Sequence, residues 1–257
     1  MSPEEAFAAC AAVVRRSDPD RYFASLFAPA GRRPLLFALY AFNHEIVRAT
    51  EIAREPMMAE IRLQWWREAV DEAREGRPRA QPAAIGLAEL LQRAPLAAGA
   101  LHALIDARGE EISSAPFAHL VAIEAHADAT SGALMRVAAT LLNADAGVDD
   151  LAREAGIAYG LAGILRSMPF HAARGKSFLP ADLLAARGDK GAIVQVANMA
   201  RDHFEKARRL PIPRGVVPAI LPASLVPAYL SRLIKNRSDV SLFRRQLILL
   251  RAATFGM

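Results

Sequence analysis

Four side chains that can carry positive charge lie close together around a proline. Arg166, His171, Arg174 and Lys176 surround Pro169 in the sequence. Such a cluster can bind an anion through charge-assisted hydrogen bonds, which are stronger than hydrogen bonds between neutral groups. The alternative is structural, because basic residues in the last turn of a helix also complement the negative end of its dipole. The spacing alone leaves both interpretations open.

A second polar group belongs to a long apolar stretch over residues 35–54. His44, Arg48 and Glu51 follow one another at i, i+4 and i+7, so they share one face of a helix. Glu45 and Arg48 are three residues apart and lie within reach of an ion pair. This face either lines a pocket or is the exposed polar side of an amphipathic helix.

The tryptophans of the chain are adjacent, at Trp65 and Trp66. Neighbouring residues of a helix point about 100° apart, because an α-helix has about 3.6 residues per turn. One ring can therefore fill the core while the other contacts a neighbouring helix or a pocket wall. The alternative is that both rings serve only the core.

Several other kinds of chemistry are not indicated. The histidines lack the spacing of metal ligands, and a single cysteine, Cys10, excludes a Cys-based metal site and an internal disulfide. There is no Gly-rich phosphate loop, GxSxG motif or Cys/His pair. The net charge of +5 comes mainly from scattered arginines without a dense basic run. We expect no nucleic-acid partner, although such charge can also attract phosphate or anionic lipid.

The elements that must position these residues are helices. Hydrophobic residues make up 53% of the chain and aromatic residues only 7%, and no Val, Ile and Thr-rich run alternates with polar residues. This composition predicts an all-α protein. Prolines, glycines and caps predict helices over residues 3–16, 19–28, 35–54, 57–75, 82–93, 95–107, 116–142, 149–167, 191–209, 225–235 and 238–254, with a short helix from Pro180, a turn at 143–147 and a Pro-rich segment at 211–227.

The chain is expected to be a single domain of residues 1–257, because no long Pro, Gly or Ser-rich linker divides it. The N-terminus resembles neither a secretory signal nor an Arg-rich transit peptide. No stretch of about 18 uncharged apolar residues predicts a transmembrane helix. We therefore expect a cytoplasmic protein.

Several short motifs together resemble the squalene/phytoene synthase superfamily. The resemblance runs from about Asp20 to Arg209 and continues more weakly to the end. The motifs are Asp20-Arg-Tyr, Leu39-Tyr-Ala-Phe-Asn, Trp65-Trp-Arg-Glu-Ala, Gly163-Ile-Leu-Arg and Gly175-Lys-Ser-Phe-Leu-Pro. The resemblance implies an isoprenoid-synthase-like helical bundle around a central cavity. Phe42, Trp65 and Trp66 are the candidate wall of this cavity.

Active members of this superfamily carry two Asp-rich motifs that hold Mg²⁺, a hard ion that binds carboxylate oxygens. The first motif aligns with 47–51, where Val47, Arg48 and Glu51 leave one carboxylate and add a cation. The second aligns with 167–171, where Ser167 and His171 leave none. The resemblance therefore implies that Mg²⁺ binding of the family type is lost.

The pattern is closer to one branch, the mitochondrial respiratory complex I assembly factors related to phytoene synthase. Tyr40-Ala-Phe-Asn-His-Glu and Leu165-Arg-Ser-Met-Pro-Phe-His carry this resemblance. It implies a non-catalytic binding or assembly protein without a cofactor. The expected partners are a respiratory-complex subunit, an isoprenoid or other lipid, and the inner membrane as a peripheral contact.

The alternative is an active prenyl-diphosphate transferase that joins two prenyl diphosphates and uses Mg²⁺. Its revised diphosphate site would contain Arg48, Glu51, Arg166 and Lys176. His171 and Arg174 complete the set of candidate anion-binding residues.

Overall fold

The computed structural model describes residues 1–53, 55–113, 115–142, 146–234 and 239–257. Within these ranges every regular element is helical and no β-strand occurs. The prediction of an all-α protein is therefore confirmed.

The chain divides into two compact units. Unit 1 comprises Met1–Ser113 and Val137–Asp145, and unit 2 comprises Ser114–Arg136 and Ala146–Met257. The expectation that the whole chain is one domain stays a prediction.

Unit 1 is built around a central helix. Its helices are α1 (Pro3–Ser17), α2 (Pro19–Ser25), α3 (Arg33–Glu51), α4 (Pro56–Arg74), α5 (Pro82–Arg93) and α6 (Ala97–Gly109). Helix α3 packs against α1, α4, α5 and α6. Its buried residues include Leu36, Leu39, Phe42 and Ile46. The carboxyl end of α3 contains residues 47–51, which the resemblance aligns with the first Asp-rich motif. These residues are called the first degenerate motif below, and residues 167–171 the second.

Prolines mark the beginnings of the helices in unit 1. Each of the helices α1 to α5 has a proline in its first two positions. Proline suits this position because its φ is already helical and the missing N–H would have had no partner in the helix. The predicted boundaries agree to within a few residues. Helix α3 ends at Glu51, and Arg54, where we expected its end, lies outside the described residues.

Unit 2 is organised around α9. Its helices are α7 (Leu120–Ala127), α9 (Asp149–Ala172), α10 (Ala181–Arg209), α11 (Val217–Ile220), α12 (Val226–Ile234) and α13 (Leu242–Phe255), while α8 (Ala133–Leu141) has residues in both units. Helix α9 packs against α7, α10, α11 and α12. The second degenerate motif thus lies on the central helix of this unit.

The predicted long helix over residues 116–142 is interrupted. Helix α7 begins only at Leu120, and a π-helical turn, Asp128–Gly132, joins it to α8. Gly156 explains why this turn is tolerated. A Cβ atom added at Gly156 would lie 2.5 Å from Cα of Gly132 and 2.9 Å from the carbonyl oxygen of Ser131. The π-helical turn and α9 therefore make a direct backbone contact at Gly156, where α9 has no side chain. The helical period alone does not predict this contact.

Pro169 does not end α9, contrary to our expectation of an end near Ser167. The helix continues to Ala172, since a proline removes one backbone hydrogen bond without forbidding helical φ. The end is set by Gly175, whose φ is +69°. The amide of Gly175 donates to Ala172 O at 3.0 Å and that of Lys176 to His171 O at 3.0 Å, the pair of bonds of a Schellman cap.

The predicted short helix from Pro180 and the predicted helix over 191–209 both occur within α10. Gly188 separates them with a non-helical backbone, φ +63° and ψ 179°. The kink marks the boundary that the sequence pattern indicated.

The Pro-rich segment that follows α10 is helical as well. It contains the turns Arg214–Val216 and Leu221–Leu225 with α11 between them. Arg214–Leu233 is long and apolar enough to cross a membrane by length and composition, with a hydropathy of 1.4, and is 61% buried within the protein. A core helix of a folded domain passes the same test, so this finding does not by itself indicate a membrane span. Position 235, the predicted end of the next helix, lies outside the described residues.

Candidate functional site

The first degenerate motif lies at the carboxyl end of α3. Val47 and Glu51 are half-buried and Arg48 is exposed. His44 lies one turn before Arg48, and partial burial lowers the pKa of its imidazole, while the neighbouring Glu45 opposes this shift. The ion pair that we expected between Glu45 and Arg48, both described residues, does not form.

A pocket of unit 1 opens beside this motif. Its volume is about 290 Å³. Helix α3 contributes Glu45 and Arg48 to the pocket wall, and α4 contributes both tryptophans and Arg62. The lining residues are Glu45, Arg48, Ala49, Ile52, Arg62, Trp65, Trp66 and Gln81. Of the three residues that share the polar face of α3, Arg48 lines this pocket, whereas His44 and Glu51 do not. Which of the two interpretations of this face holds stays a prediction.

Arg62 is a pocket residue that sequence reasoning missed. Its Nη1 atom is buried and has no hydrogen-bond partner. A buried donor without an acceptor costs free energy, so this guanidinium group is poised to bind an acceptor from a ligand. The spacing of Arg62 to Trp65 and Trp66, at i+3 and i+4 on α4, was the available signal.

The paired tryptophans divide as the helical geometry predicts. Trp66 is 5% exposed, whereas Trp65 is 36% exposed. Their ring centroids lie 4.9 Å apart at 86°, and the Trp66 ring also meets Phe42 edge-on at 5.4 Å. Phe42 is fully buried and does not line the pocket, so it supports the pocket wall through Trp66.

Arg79 holds the exposed tryptophan in place. Its Cζ atom lies 4.9 Å from the ring centroid of Trp65, and its Nη1 atom donates to the carbonyl oxygen of Trp65 at 3.1 Å. Glu68 and Glu72 accept from the same guanidinium group at 2.7 Å each. The orientation of this wall is therefore set by several contacts.

The second degenerate motif is packed among aromatic rings. The Ser167 hydroxyl donates to the carbonyl oxygen of Ile164 at 3.0 Å. The ring of His171 meets Phe170 edge-on at 5.2 Å and Phe178 at 4.5 Å. Phe178 in turn lies 6.0 Å from Phe117. At these two positions the chain thus has a backbone-bonded hydroxyl and an imidazole in an aromatic cluster, and their correspondence to the family's second Asp-rich motif stays a prediction.

Arg166 is bound to a carboxylate of the same unit. Its Nη2 atom lies 2.7 Å from Oδ2 of Asp239, and its Cζ atom lies 3.8 Å from the ring centroid of Tyr229. Burial is the largest single influence on Arg166 and disfavours its charge, but the hydrogen bond to Asp239 and the interactions with Tyr229, Tyr159 and Asp239 together outweigh burial and raise the pKa of the guanidinium group. Partial burial likewise opposes ionisation of Asp239, but the bond and charge of Arg166 lower the pKa of this carboxyl group.

The other members of the predicted cation cluster have different surroundings. Arg174 donates to the carbonyl oxygen of Phe170 at 3.1 Å and stacks on its ring at 3.6 Å. Lys176 is half-buried, and its amide caps α9. Arg174 thus serves the carboxyl end of α9, as the dipole interpretation expects. The anion-binding role of Arg48, Arg166, His171, Arg174 and Lys176 stays a prediction.

A buried charge network in unit 2 also escaped the sequence analysis. His203 is 3% exposed, with Nδ1 2.6 Å from Oε2 of Glu154 and Nε2 3.2 Å from Oε1 of Glu124. Each ring nitrogen of His203 therefore faces a carboxylate oxygen. Arg153 continues the network from Glu154 to Asp128 at 2.7 Å. These residues are far apart in sequence, and no local pattern signals their contact.

The residues present do not fit a Mg²⁺ site of the family type. Among the residues that the structure describes, no three His, Cys, Asp or Glu side chains come together as metal ligands. Glu51 is the single carboxylate kept from the first motif, on unit 1, and the second motif, on unit 2, keeps none. Mg²⁺ requires several oxygen ligands, so these motif positions do not provide its coordination sphere.

Comparison with known proteins places these observations in a family context. The family profile for squalene/phytoene synthase matches residues 14–252. Proteins from Bos taurus and Homo sapiens, both described as NADH dehydrogenase (ubiquinone) complex I, assembly factor 6, are each 28% identical over 255 residues. Each alignment covers 93% of this chain and 76% of the relative.

Two solved structures of similar fold are described as synthases. A dehydrosqualene synthase in complex with a ligand has a TM-score of 0.79 at 16% identity, over 98% of this chain and 97% of the other. Squalene synthase HpnC from Alicyclobacillus acidocaldarius has a TM-score of 0.71 at 18% identity, over 99% and 95%. At such identities the similarity establishes the isoprenoid-synthase-like fold alone.

Proposed function

Because this chain belongs to the squalene/phytoene synthase family but has lost most carboxylates of both metal motifs, we propose that it is a non-catalytic assembly factor. It acts in the assembly of respiratory complex I, at the cytoplasmic side of the inner membrane. The observation that carries the proposal is the paired replacement at Arg48 and His171. A cation and an aromatic-packed imidazole stand where Mg²⁺-binding carboxylates belong.

The chemistry of the family explains why this replacement matters. Bound Mg²⁺ neutralises the diphosphate and assists its departure. Neither Ser167, which donates to a backbone carbonyl, nor His171, packed against Phe170 and Phe178, substitutes for a carboxylate oxygen. We therefore propose no metal and no cofactor for this protein.

The relatives support the assembly role. Similarity to proteins described as complex I assembly factor 6 extends over 93% of the chain. Resemblance in fold to synthases does not carry their activity, because function depends on the residues of the site. A subunit of the respiratory complex is the proposed protein partner, and no nucleic acid is involved.

The pocket of unit 1 supports a ligand-binding role within this function. Arg48 and Arg62 supply positive charge, and Trp65, Trp66 and Ile52 supply apolar surface. An amphiphile with an anionic head and a short apolar segment suits this lining, since charge-assisted hydrogen bonds and aromatic contacts then act together. An isoprenoid or another lipid is the proposed ligand class.

A gene deletion in the native host tests the assembly role. We expect complex I activity and the fully assembled complex to decrease, with restoration by a plasmid-borne copy. A Glu51→Gln copy, present at wild-type abundance, should restore both, because the proposed role needs no carboxylate there. Normal complex I in the deletion strain would remove the assembly hypothesis.

The enzyme alternative has its own measurement. Purified protein is incubated with farnesyl or geranylgeranyl diphosphate and Mg²⁺, and pyrophosphate release is followed. We expect none above the background without protein. Mg²⁺-dependent release that Glu51→Gln abolishes would instead establish a transferase whose activity depends on Glu51.

A further inference from the structure

Helix α13 presents an apolar stripe to solvent. Phe243, Leu247 and Leu250 are 77%, 56% and 53% exposed. Their spacing of four and three residues places them along one side of the helix. Single exposed apolar residues are common, but a continuous stripe of large ones on one helix marks a contact surface.

The same helix already has an inward apolar face. Leu249 and Ala252 are buried, and α13 packs against Leu221–Leu225 within unit 2. The folding of unit 2 therefore does not require Phe243, Leu247 or Leu250 to be apolar.

The charges beside the stripe have a single sign. Arg244 and Arg251, seven residues apart, are both exposed and lie next to the stripe on the same side of α13. Arg245 points elsewhere, since its Nη2 atom lies 2.6 Å from Asp239 and its Nε atom donates to Val240 O at 2.7 Å. After Asp239 the sequence contains no acidic residue. The outward face thus combines apolar side chains with uncompensated positive charge, which is complementary to an anionic surface.

We propose that α13 docks this protein on an anionic lipid bilayer. Phe243, Leu247 and Leu250 enter the boundary between headgroups and acyl chains, and Arg244 and Arg251 contact lipid phosphates, as in interfacial amphipathic helices. The proposal names the surface for the peripheral membrane contact of the proposed function, and it rests on that function for its biological setting.

Vesicle co-sedimentation of the full chain tests the docking. Vesicles of phosphatidylcholine alone are compared with vesicles that contain phosphatidylglycerol at low and high salt. We expect binding to the anionic vesicles only, weakened by salt because screening shortens the reach of the charges. Equal binding to both vesicle types, or binding to neither, would overturn the proposal.

Two variants separate charge from apolar contact. Arg244→Gln with Arg251→Gln should weaken binding about thirtyfold, since each cation near an anionic bilayer contributes about 1 kcal/mol and 1.4 kcal/mol is tenfold. Leu247→Ser with Leu250→Ser should abolish binding at any salt. All four side chains are exposed, so an unchanged unfolding midpoint is expected.

Matched controls remove two positive charges, or two exposed apolar side chains, elsewhere on the surface. Arg74→Gln with Arg187→Gln gives the same net charge, and Leu96→Ser with Val121→Ser changes two other exposed apolar residues. Both controls should bind like the wild type. If they lose binding equally, the attraction is not specific to α13 and the proposal fails.

Two other occupants of this face would also overturn the proposal. A wild-type dimer that Leu247→Ser with Leu250→Ser converts to a monomer, with vesicle binding unchanged, would identify a second copy. Loss of complex I assembly in this variant, without vesicle binding by the wild type, would identify a protein partner. The two proposals can also fail separately. If the wild-type protein binds anionic vesicles but deletion of its gene leaves complex I normal, the docking proposal stands and only the assembly role is rejected.

Discussion

Nη2 of Arg166 lies 2.7 Å from Oδ2 of Asp239, and Nη2 of Arg245 lies 2.6 Å from the same oxygen. Both guanidinium groups also face the buried ring of Tyr229, at 3.8 and 5.5 Å. A residue that the sequence offers as an anion-binding cation therefore has a counter-ion within unit 2. The pair connects α9 to the segment that leads into α13.

Asp239→Asn should destabilise unit 2. The change leaves Arg166 and Arg245 beside each other without their shared anion. We expect the lower end of the range of about 1.5–3 kcal/mol for hydrogen bonds to charged groups, because Asp239 is 49% exposed and solvent screens the pair. Urea unfolding at pH 7 measures the difference. Asp106→Asn, which breaks the more exposed pair with Arg67, is the control and should cost at most about 1 kcal/mol. Equal costs would show that the Asp239 pair is a surface pair in energetic terms.

The same variant should show a defined pH dependence. The folded protein lowers the pKa of Asp239, so its ionised form contributes stability above the ordinary carboxyl pKa of about 3.9. That contribution is lost as the pH falls through the lowered folded pKa. The difference in stability between wild type and Asp239→Asn should thus be full at pH 7 and shrink at acid pH. A difference that grows on acidification would contradict the assigned sign.

Gly156→Ala should destabilise the protein through a clash with the backbone. The added Cβ atom would lie 2.5 Å from Cα of Gly132, which cannot rotate away. Overpacking of this kind costs about 1–3 kcal/mol, and we expect the upper end. Thermal unfolding provides the measurement.

Gly163→Ala on the same helix is the matched control for this clash. No atom lies within 4 Å of its added Cβ, so the better helix propensity of alanine should stabilise the protein by about 0.5–1 kcal/mol. Opposite signs for the two substitutions would locate the effect at the contact between α9 and the π-helical turn. Destabilisation by both would refute this explanation.

His203→Ala should cost about 1.5–3 kcal/mol, because it removes the buried ring that bonds to Glu154 and Glu124, while Glu154 keeps its pair with Arg153 and Glu124 is 29% exposed. The free energy of unfolding is measured by urea denaturation. His102→Ala is the control, since His102 bonds to the exposed Asp71 and should cost at most about 1 kcal/mol. A similar, small cost for both would show that the buried network is energetically neutral.

Arg62 can be tested with the intrinsic fluorescence of the protein. Trp65 and Trp66 are the tryptophans of the chain and both line the unit 1 pocket, so fluorescence reports on this site. Farnesyl diphosphate without Mg²⁺ should change the emission, and Arg62→Met should weaken its binding about tenfold to hundredfold, since a charge-assisted bond contributes about 1.5–3 kcal/mol.

The same variant should not lose stability, because the folded protein leaves Nη1 of Arg62 without an acceptor. Arg67→Met, whose side chain pairs with Asp106 and does not line the pocket, is the binding control. An unchanged affinity in Arg62→Met, or an equal loss in Arg67→Met, would exclude Arg62 as the ligand anchor.

Local signals predicted most of the helices. Prolines that open α1 to α5 act within one turn, so their effect is visible in the sequence. The different exposure of Trp65 and Trp66 also follows from the helical period alone. In contrast, Pro169 misled the prediction, because the packing of α9 compensates for one lost hydrogen bond.

The sequence by itself determined the fold class and the family, since composition, helix period and motif residues are local properties. Only the tertiary structure decided which charges have partners. Arg166 meets Asp239 across 73 residues, and His203 meets Glu154 across 49. Arg62, with the same side chain as Arg166, keeps a buried Nη1 atom without an acceptor. The residue type determines which side chain can carry a charge, but the packing of distant helices determines which counter-ion lies beside it.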